Sequence, residues 1–523
     1  MRPIVNSEEM RYLDRQTIEH FGVPSLVLME RAALRVVESI PKKLTHKSRV
    51  LIVCGNGNNG ADGLAVARLL YQRKCKVTVL QLSDDPGKSR RSKDNETQRG
   101  ILLKYGVPIL KDWPDQNQNQ NQNEGYGCVI DALFGVGLSR NLQGDAKDWV
   151  QRMNALSSYK VAVDMPSGTS SDTGSVLGVS FLADMTVTFG FQKLGQALYP
   201  GRENCGKLVI ADIGITKDSW LSRAPKSWMV EKRDLKGLAK RPARSNKGDF
   251  GKALVIAGSF GMAGAAVLCA GAAYRAGCGL VKVCTPKENR QIIQTALPEA
   301  ILYVYDEDYL ESKEEDFVSQ LAWADCIALG PGLGTKETAY RIVRLVLEHA
   351  SCPLVLDADA LNIIASDLSV LQGLKEKAVL TPHIGEMARL CGKWIPQILK
   401  DPVREAYEFA ERFGVTLVLK DAVTVTASEN GALYLNGSGC AAMAKAGSGD
   451  ALTGILTALI AQAARGNLKL PGKREDACGL DEIAAIGAYI HGQAGEDAAK
   501  RKGDCSILAG DIIESIGIAL SNV

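Results

Sequence analysis

Short apolar runs that end in glycine or an acid, each followed by a helix-like stretch, recur along most of this chain and leave few folds open. RVLIVC at 49–54 leads into a helical pattern over 60–73 and then into KVTVLQL at 76–82. That is strand, loop, helix, strand. CVIDALFG at 128, YKVAVDMPSG at 159, ADMTVTFG at 183 and GKLVIADIG at 206 continue the series. Strands joined through helices run parallel under helical cover, so the fold class is α/β. Between 217 and 244 the periodicity weakens and the basic stretch EKRDLKGLAKRPARSNKG intervenes. A second series then follows: GKALVIAGS, LVKVCTP, CIALGPGLG, CPLVLDADALN, KAVLTPHIGE and GVTLVLKDAVTVTA. At 523 residues the chain exceeds what one hydrophobic core serves. We expect a first domain over 1–219, a linker over 220–245 and a second domain over 246–523.

Composition matters mainly for what it excludes. With 62 Lys+Arg against 59 Asp+Glu, no global field points to nucleic acid or an anionic membrane. Thirteen cysteines form no CxxC pair, which fits neither a disulfide framework nor a zinc site and agrees with a reducing cytoplasm. The first residues carry Glu8, Glu9 and Asp14 where a signal peptide would be apolar, and no apolar stretch approaches a bilayer span. The alternating Gln/Asn tract at 116–123 reads as a polar loop insertion without a part in chemistry.

The first chemical signal is CGNGNNGADG at 54–63, which contains GxGxxG in Gly55, Gly57 and Gly60 between a strand and a helix. Such a loop suits a phosphate at a helix N-terminus, with Asp84 or Asp85 available to a ribose hydroxyl, so a dehydrogenase is one reading. Asn58, Asn59 and Asp62 add more side-chain oxygen than a phosphate turn needs and suit a hard cation or ligand hydroxyls. A tight loop whose asparagines only hold unusual backbone angles is the third reading. Two further stretches end strands in an acid: DALFGVGLSRNLQG at 131–144 and DMPSGTSSDTG at 164–174. Asp131, Asp164 and Ser167 would then share one sheet edge, and Lys193 follows another strand in VTFGFQKLG.

In the second half, Gly264 and Ala265 open a helix of Ala, Gly and Cys and leave room for a ring to approach the backbone. Gly332 in GPGLG and His383 in TPHIGE also follow strands directly, and Lys420 in KDAVT can meet a phosphate charge. Gly447 and Gly449 of KAGSGD would point backbone N–H groups at a polyphosphate, with Asp450 placed to accept a hydroxyl proton. A capped helix with Asp in its first turn would look the same. Taken alone, GSGD supports a small-alcohol kinase fused to a nucleotide-binding domain.

The set NNGADG, DALFGVGL, DMPSG and TFGFQKLG resembles the NAD(P)H-hydrate epimerase half of the bifunctional nicotinamide-nucleotide repair family. AGSFGMAGA, GPGLG, DADALN, TPHIGE, KDAVT and KAGSGDALTG are similar to the same family's ADP-dependent NAD(P)H-hydrate dehydratase half. The resemblance implies a Rossmann-like three-layer domain with a parallel sheet, followed by a ribokinase-like α/β domain. It implies a potassium ion on Asn59, Asp131 and Ser167, and a hydrate lined by Asn58, Asn59, Gly60, Ala61, Asp62, Gly135, Val136, Gly137, Leu138, Ser139, Arg140, Asn141 and Asp164. Asp164 and Lys193 would handle the proton. In the second domain Gly264, Ala265, Gly332, His383 and Asp450 would face the hydrate. ADP with magnesium would meet Lys420, Asp421, Ala422, Val423, Thr424, Cys440, Lys445, Ala446, Gly447, Ser448 and Gly449. NADHX, NADPHX and ADP are then the partners, in a cytoplasmic homo-oligomer, with an ATP-dependent dehydratase as the alternative. Ala61 and Cys440 depart from the family, which usually has glycine and asparagine there.

Overall fold

The computed structural model describes residues 1–46, 49–83, 91–114, 125–236, 238, 241–306, 310–468 and 479–521. Asp84, Asp85 and the Gln/Asn tract at 116–123 lie outside the described residues. The chain divides into two compact units, Pro3–Pro225 and Lys226–Val523, the latter taking in Met1–Arg2. Within 220–245, Ser227–Met229 is a strand that pairs with Leu433–Asn436 of the second unit.

In the first unit the sheet runs, edge to edge, Ile109–Leu110, Lys76–Gln81, Arg49–Cys54, Tyr126–Ala132, Tyr159–Val163, Met185–Phe189, Lys207–Ala211. Every pairing among these strands is parallel. Alternate side chains of one strand serve two cores, because successive residues point to opposite faces. Val50, Ile52 and Cys54 pack with helices Ser25–Ser39 and Asn58–Gln72, while Leu51 and Val53 meet Trp149, Val150 and Met153 of helix Gly144–Ala155. That division makes three layers. The chain starts the sheet at Arg49–Cys54, builds outward to Ile109–Leu110, then crosses back to Tyr126–Ala132. Loops leaving those two central strands turn opposite ways and open a crevice at the carboxyl edge.

The second unit repeats this logic. Its parallel strands run Ile301–Tyr305, Leu280–Pro286, Lys252–Ile256, Cys326–Leu329, Leu354–Leu356, Ala378–Leu380, Thr416–Leu419, with the order reversing between Lys252–Ile256 and Cys326–Leu329. An antiparallel pair, Thr424–Ala427 and Leu433–Asn436, extends the sheet. Helix Ala263–Arg275 is approached closely: a side chain added at Gly454 would stand 2.1 Å from its Cys269 carbonyl oxygen. Helix Ser448–Ala464, which begins at the GSGD motif, therefore lies close against it and is buried along most of its length. Among the described residues no helix is long and apolar enough to cross a membrane.

Candidate functional site

Each unit gathers polar side chains at the carboxyl edge of its parallel sheet. In the first, a cavity of about 1410 Å³ opens there, lined by Asn58, Asn59, Asp62, Arg140, Asn141, Asp164 and Lys193 and by the backbone turn of Gly135, Val136, Gly137 and Leu138. Gly60 and Ala61 are buried behind the loop, and Ser139 lies outside the lining.

Two glycines of the GxGxxG pattern serve packing. A Cβ on Gly55 would sit 2.0 Å from the Leu133 carbonyl oxygen, and one on Gly60 would sit 1.9 Å from that of Gly55. Only Gly57, the N-cap of helix Asn58–Gln72, is open. The loop is braced from behind by Asn95, fully buried, whose amide donates to the carbonyls of Gly55 (3.1 Å) and Gly57 (3.0 Å) and accepts from Gln81. Replacing Gly60 with alanine is therefore expected to cost about 1–3 kcal/mol by overpacking, read as a lower midpoint in thermal unfolding of the first unit.

Below the loop, Asp131 is fully buried at a strand end and tied to Ser167 twice, from its N–H and its hydroxyl, each at 2.7 Å. The Leu133 N–H adds a third donor at 3.1 Å. Burial nonetheless holds the Asp131 carboxyl up at about 6, against those hydrogen bonds. Both polar atoms of the Asn59 amide are buried without a partner, and a Cβ at Gly135 would stand 3.5 Å from its oxygen. An amide oxygen, a carboxylate and a hydroxyl are each of the donor type that suits a hard cation, although Asp131 and Ser167 bond to one another and stand outside the cavity lining that includes Asn59.

Asp164 adopts a left-handed backbone, φ +66, fixed by its N–H on Val187 (2.8 Å) and by the Gln196 amide on its carbonyl (2.7 Å). Its Oδ1 accepts from Lys193 Nζ at 2.5 Å, the Thr188 hydroxyl at 3.0 Å and the Phe189 N–H at 3.3 Å. Lys193 is wholly buried and spends its other donors on Thr188 Oγ1 (2.8 Å) and the Phe189 carbonyl (3.1 Å). One carboxylate oxygen is thus fully engaged while the residue fronts the cavity. Asp14 and Asp62 line the same space, and their carboxyls are raised by burial first and the Asp164 charge second.

In the second unit, Gly447 turns with φ +86 into helix Ser448–Ala464, and Asp450 stands in its first turn. A Cβ on Gly449 would lie 3.4 Å from Lys420 Nζ and 3.9 Å from Asp357 Oδ2, so the Lys420–Asp357 ion pair sits directly under this turn. Lys420 donates to Asp357 Oδ1 at 2.7 Å, and Thr453 donates to Asp357 Oδ2 at 2.6 Å. Burial, and then the charge of Asp357 outweighing that of Lys420, pushes the Asp450 carboxyl up to about 6. Ser448 Oγ lies 3.2 Å from His491 Nε2, whose ring burial holds down to about 4 and so keeps neutral.

Gly332, at φ +60, backs onto the turn at 264–265: a Cβ there would meet Ala265 Cβ at 2.9 Å. Gly264 is exposed and Ala265 buried. His383 caps helix Ile384–Cys391, its Nδ1 accepting from the Gly385 N–H at 2.9 Å and its own N–H donating to Glu386 at 2.8 Å. Nδ1 therefore carries no proton, and the ring stays 54% exposed. Asp421 and Ala422 are exposed in a turn, Val423 is buried and Thr424 begins the next strand. Lys445 and Ala446 are exposed, and Cys440 is half-buried with its sulfur 3.8 Å from the Gly495 carbonyl oxygen.

The sequence reading missed the residues that hold these groups: Asn95, Gln81, Thr188, Gln196, Asp357 and Thr453. Asp357, Thr188 and Thr453 lay within quoted motifs, DADALN, TFGFQKLG and KAGSGDALTG, and for Asp357 a strand-terminal acid was the signal. Asn95, Gln81 and Gln196 belong to no motif.

Fold and sites together define a two-unit α/β enzyme with a parallel sheet in each unit. Residues 25–195 match the family model described as YjeF-related protein N-terminus, and residues 253–517 that of NAD(P)H-hydrate dehydratase. The bifunctional NAD(P)H-hydrate repair enzyme of Moorella thermoacetica is 36% identical, covering 99% of this chain and 97% of its own. That of Escherichia coli is 33% identical over 98% and 92%. A crystal structure of the ADP/ATP-dependent NAD(P)H-hydrate dehydratase of Bacillus subtilis, co-crystallized with ATP/Mg2+, is 27% identical with a TM-score of 0.45, covering 57% of this chain and 99% of that one. The chain belongs to the family of bifunctional NAD(P)H-hydrate repair enzymes.

Proposed function

We propose that the first unit interconverts R and S NADHX and NADPHX, and that the second dehydrates the S form with ADP, giving NAD(P)H, AMP and phosphate. The observation that carries this reading is that each unit sets a carboxylate beside a lysine at the carboxyl edge of its sheet, Asp164 by the buried Lys193 and Asp450 by Lys420.

Inverting the hydroxyl-bearing carbon requires one of its bonds to open and re-form, so a proton must leave the hydroxyl and return. Asp164 is the group for this, since Lys193, Thr188 and Phe189 hold one oxygen and leave the other to the cavity. Asn58, Asn59, Asp62, the turn at 135–138, Arg140 and Asn141 would line the hydrate. Asn59, Asp131 and Ser167 would hold potassium, which supplies a fixed positive charge beside the substrate. Replacing potassium with lithium is expected to lower epimerisation at least tenfold, and Asn59→Ala to abolish that difference, as measured by the rate of interconversion of the separated R and S forms.

In the second unit, Asp450 takes the hydroxyl proton as that oxygen attacks the β-phosphorus of ADP and AMP departs. Phosphate then leaves with the carbon–oxygen electron pair, and loss of the neighbouring C–H proton restores the ring double bond. Lys420, Asp421, Ala422, Val423, Thr424, Cys440, Lys445, Ala446, Gly447, Ser448 and Gly449 would contact ADP and its magnesium. Gly264, Ala265, Gly332 and His383 would face the hydrate. The reading goes with a cytoplasmic homo-oligomer that binds neither nucleic acid nor membrane.

The test is to incubate mixed R and S NADHX with the protein, ADP and magnesium and to follow NADH absorbance. Complete conversion is expected. Conversion halting near the initial S fraction would sink the epimerase, and no recovery with ADP or ATP would sink the dehydratase.

A further inference from the structure

We propose that Asp357 is a positioning residue of the dehydratase: with one carboxylate oxygen it fixes Lys420 under the Gly449 turn, and with the other it grips the helix that carries Asp450. The inference rests on the reading of Asp450 and Lys420 given above.

The geometry is closed on both sides. Asp357 is 1% exposed, so its charge has no solvent to turn to. Lys420 Nζ donates to Oδ1 at 2.7 Å and Thr453 Oγ1 to Oδ2 at 2.6 Å. Asp357 follows strand Leu354–Leu356, Lys420 follows strand Thr416–Leu419, and Thr453 lies one turn beyond Gly449 and Asp450 on helix Ser448–Ala464. A single buried carboxylate thus ties two strand ends to the helix N-terminus where phosphoryl transfer would occur. Such a tie has a reason. A lysine side chain is long and flexible, and a flexible charge beside a phosphoryl group would lose orientation. Pairing with Asp357 fixes that ammonium beneath the glycine turn, so the net charge under the turn is small.

The same carboxylate also acts on Asp450. Around Asp450 stand Asp357, Asp359 and Lys420, the neutral Cys269 thiol on helix Ala263–Arg275, and neutral His491 reached through Ser448; Glu386 faces Lys420. Asp357 supplies the largest charge effect among them and raises the Asp450 carboxyl. Removing that charge must therefore shift Asp450 toward lower pH.

Asp357→Asn in the full-length protein tests this on S-NADHX with ADP and magnesium. Expected are a kcat lower by about 10- to 100-fold, a several-fold higher KM for ADP, and an acid limb of the kcat profile moved down by roughly 0.5–1 pH unit. A limb that stays put, whether or not kcat falls, overturns the proposal, since a merely structural loss lowers kcat equally at every pH. Asp450→Asn is run beside it: if that variant dehydrates normally, the reading of Asp450 fails and takes the inference with it. If Asp450→Asn is inactive and Asp357→Asn is unchanged, only the inference fails. Should Asp357→Asn not fold, Thr453→Ser and Thr453→Val decide. The serine variant is expected to keep kcat within about twofold and the valine variant to lose about tenfold, because only the hydroxyl grips Asp357. Equal behaviour of the two overturns the proposal.

Discussion

Asp450→Asn is expected to lower the dehydration of S-NADHX by about 10²- to 10⁴-fold while leaving interconversion of the R and S forms intact. Asparagine has nearly the same shape and can still occupy the first turn of helix Ser448–Ala464, but it cannot take the hydroxyl proton. Stability should move the other way. The folded-state carboxyl titrates at about 6, above its ordinary 3.8, because burial and Asp357 oppose its charge. A carboxyl raised on folding contributes stability at low pH that is lost as pH climbs from the unfolded value through the folded one. At neutral pH the parent has lost it all, whereas the asparagine variant never carries the charge. Its thermal midpoint should equal or exceed the parent's, so a dead and no less stable protein is the diagnostic pair. In the parent, kcat should fall as pH drops through about 6, where Asp450 becomes protonated. A variant within tenfold of the parent would remove Asp450 from the proton step.

Which parts of this molecule the chain discloses follows from how many residues must cooperate to make them. Strands such as Arg49–Cys54 and Cys326–Leu329 are buried on both faces, so they appear as unbroken apolar runs, and the alternation with helices implies parallel sheets directly. Strand order is another matter, because nothing local marks the crossing from Ile109–Leu110 back to Tyr126–Ala132 that opens the first crevice. The glycine pattern at 55–60 illustrates a subtler limit. Its spacing resembles a phosphate loop, yet Gly55 and Gly60 lack side chains because carbonyl oxygens of Leu133 and Gly55 occupy the space. A packing demand and a phosphate demand select the same residue for the same reason, the close approach of backbone.

The candidate sites divide in the same way. Asp131, Asp164, His383 and Asp450 end strands or begin helices, where chemistry collects in open α/β sheets, so position alone drew attention to them. Asn95 is different: it lies 38 residues from the Gly57 carbonyl it holds, and a buried asparagine in a polar helix start looks like any exposed one. His383 proves to be a helix cap whose ring remains exposed. Lys420 carries a partner, Asp357, that a motif written as KDAVT cannot contain.

Asp164→Asn and Asp164→Ala separate chemistry from strain at the other site. Both should lower epimerisation by about 10²- to 10⁴-fold, since neither can shuttle a proton. With mixed R and S NADHX, ADP and magnesium, NADH recovery should stall near the initial S fraction in the time the parent needs for completion. Their stabilities should differ. The backbone at 164 has φ +66, a conformation that costs an ordinary L residue roughly 1–2 kcal/mol and that asparagine tolerates better. Asparagine also keeps an acceptor for the Thr188 hydroxyl, the Phe189 N–H and Lys193, whereas alanine orphans all three. Each variant leaves the buried Lys193 ammonium without its counter-charge, so both should melt below the parent, alanine lowest. Equal inactivity with unequal melting assigns the loss to the missing carboxylate. Full conversion by the asparagine variant at the parental rate would instead make Asp164 a backbone device, held at its angle to shape the cavity and nothing more.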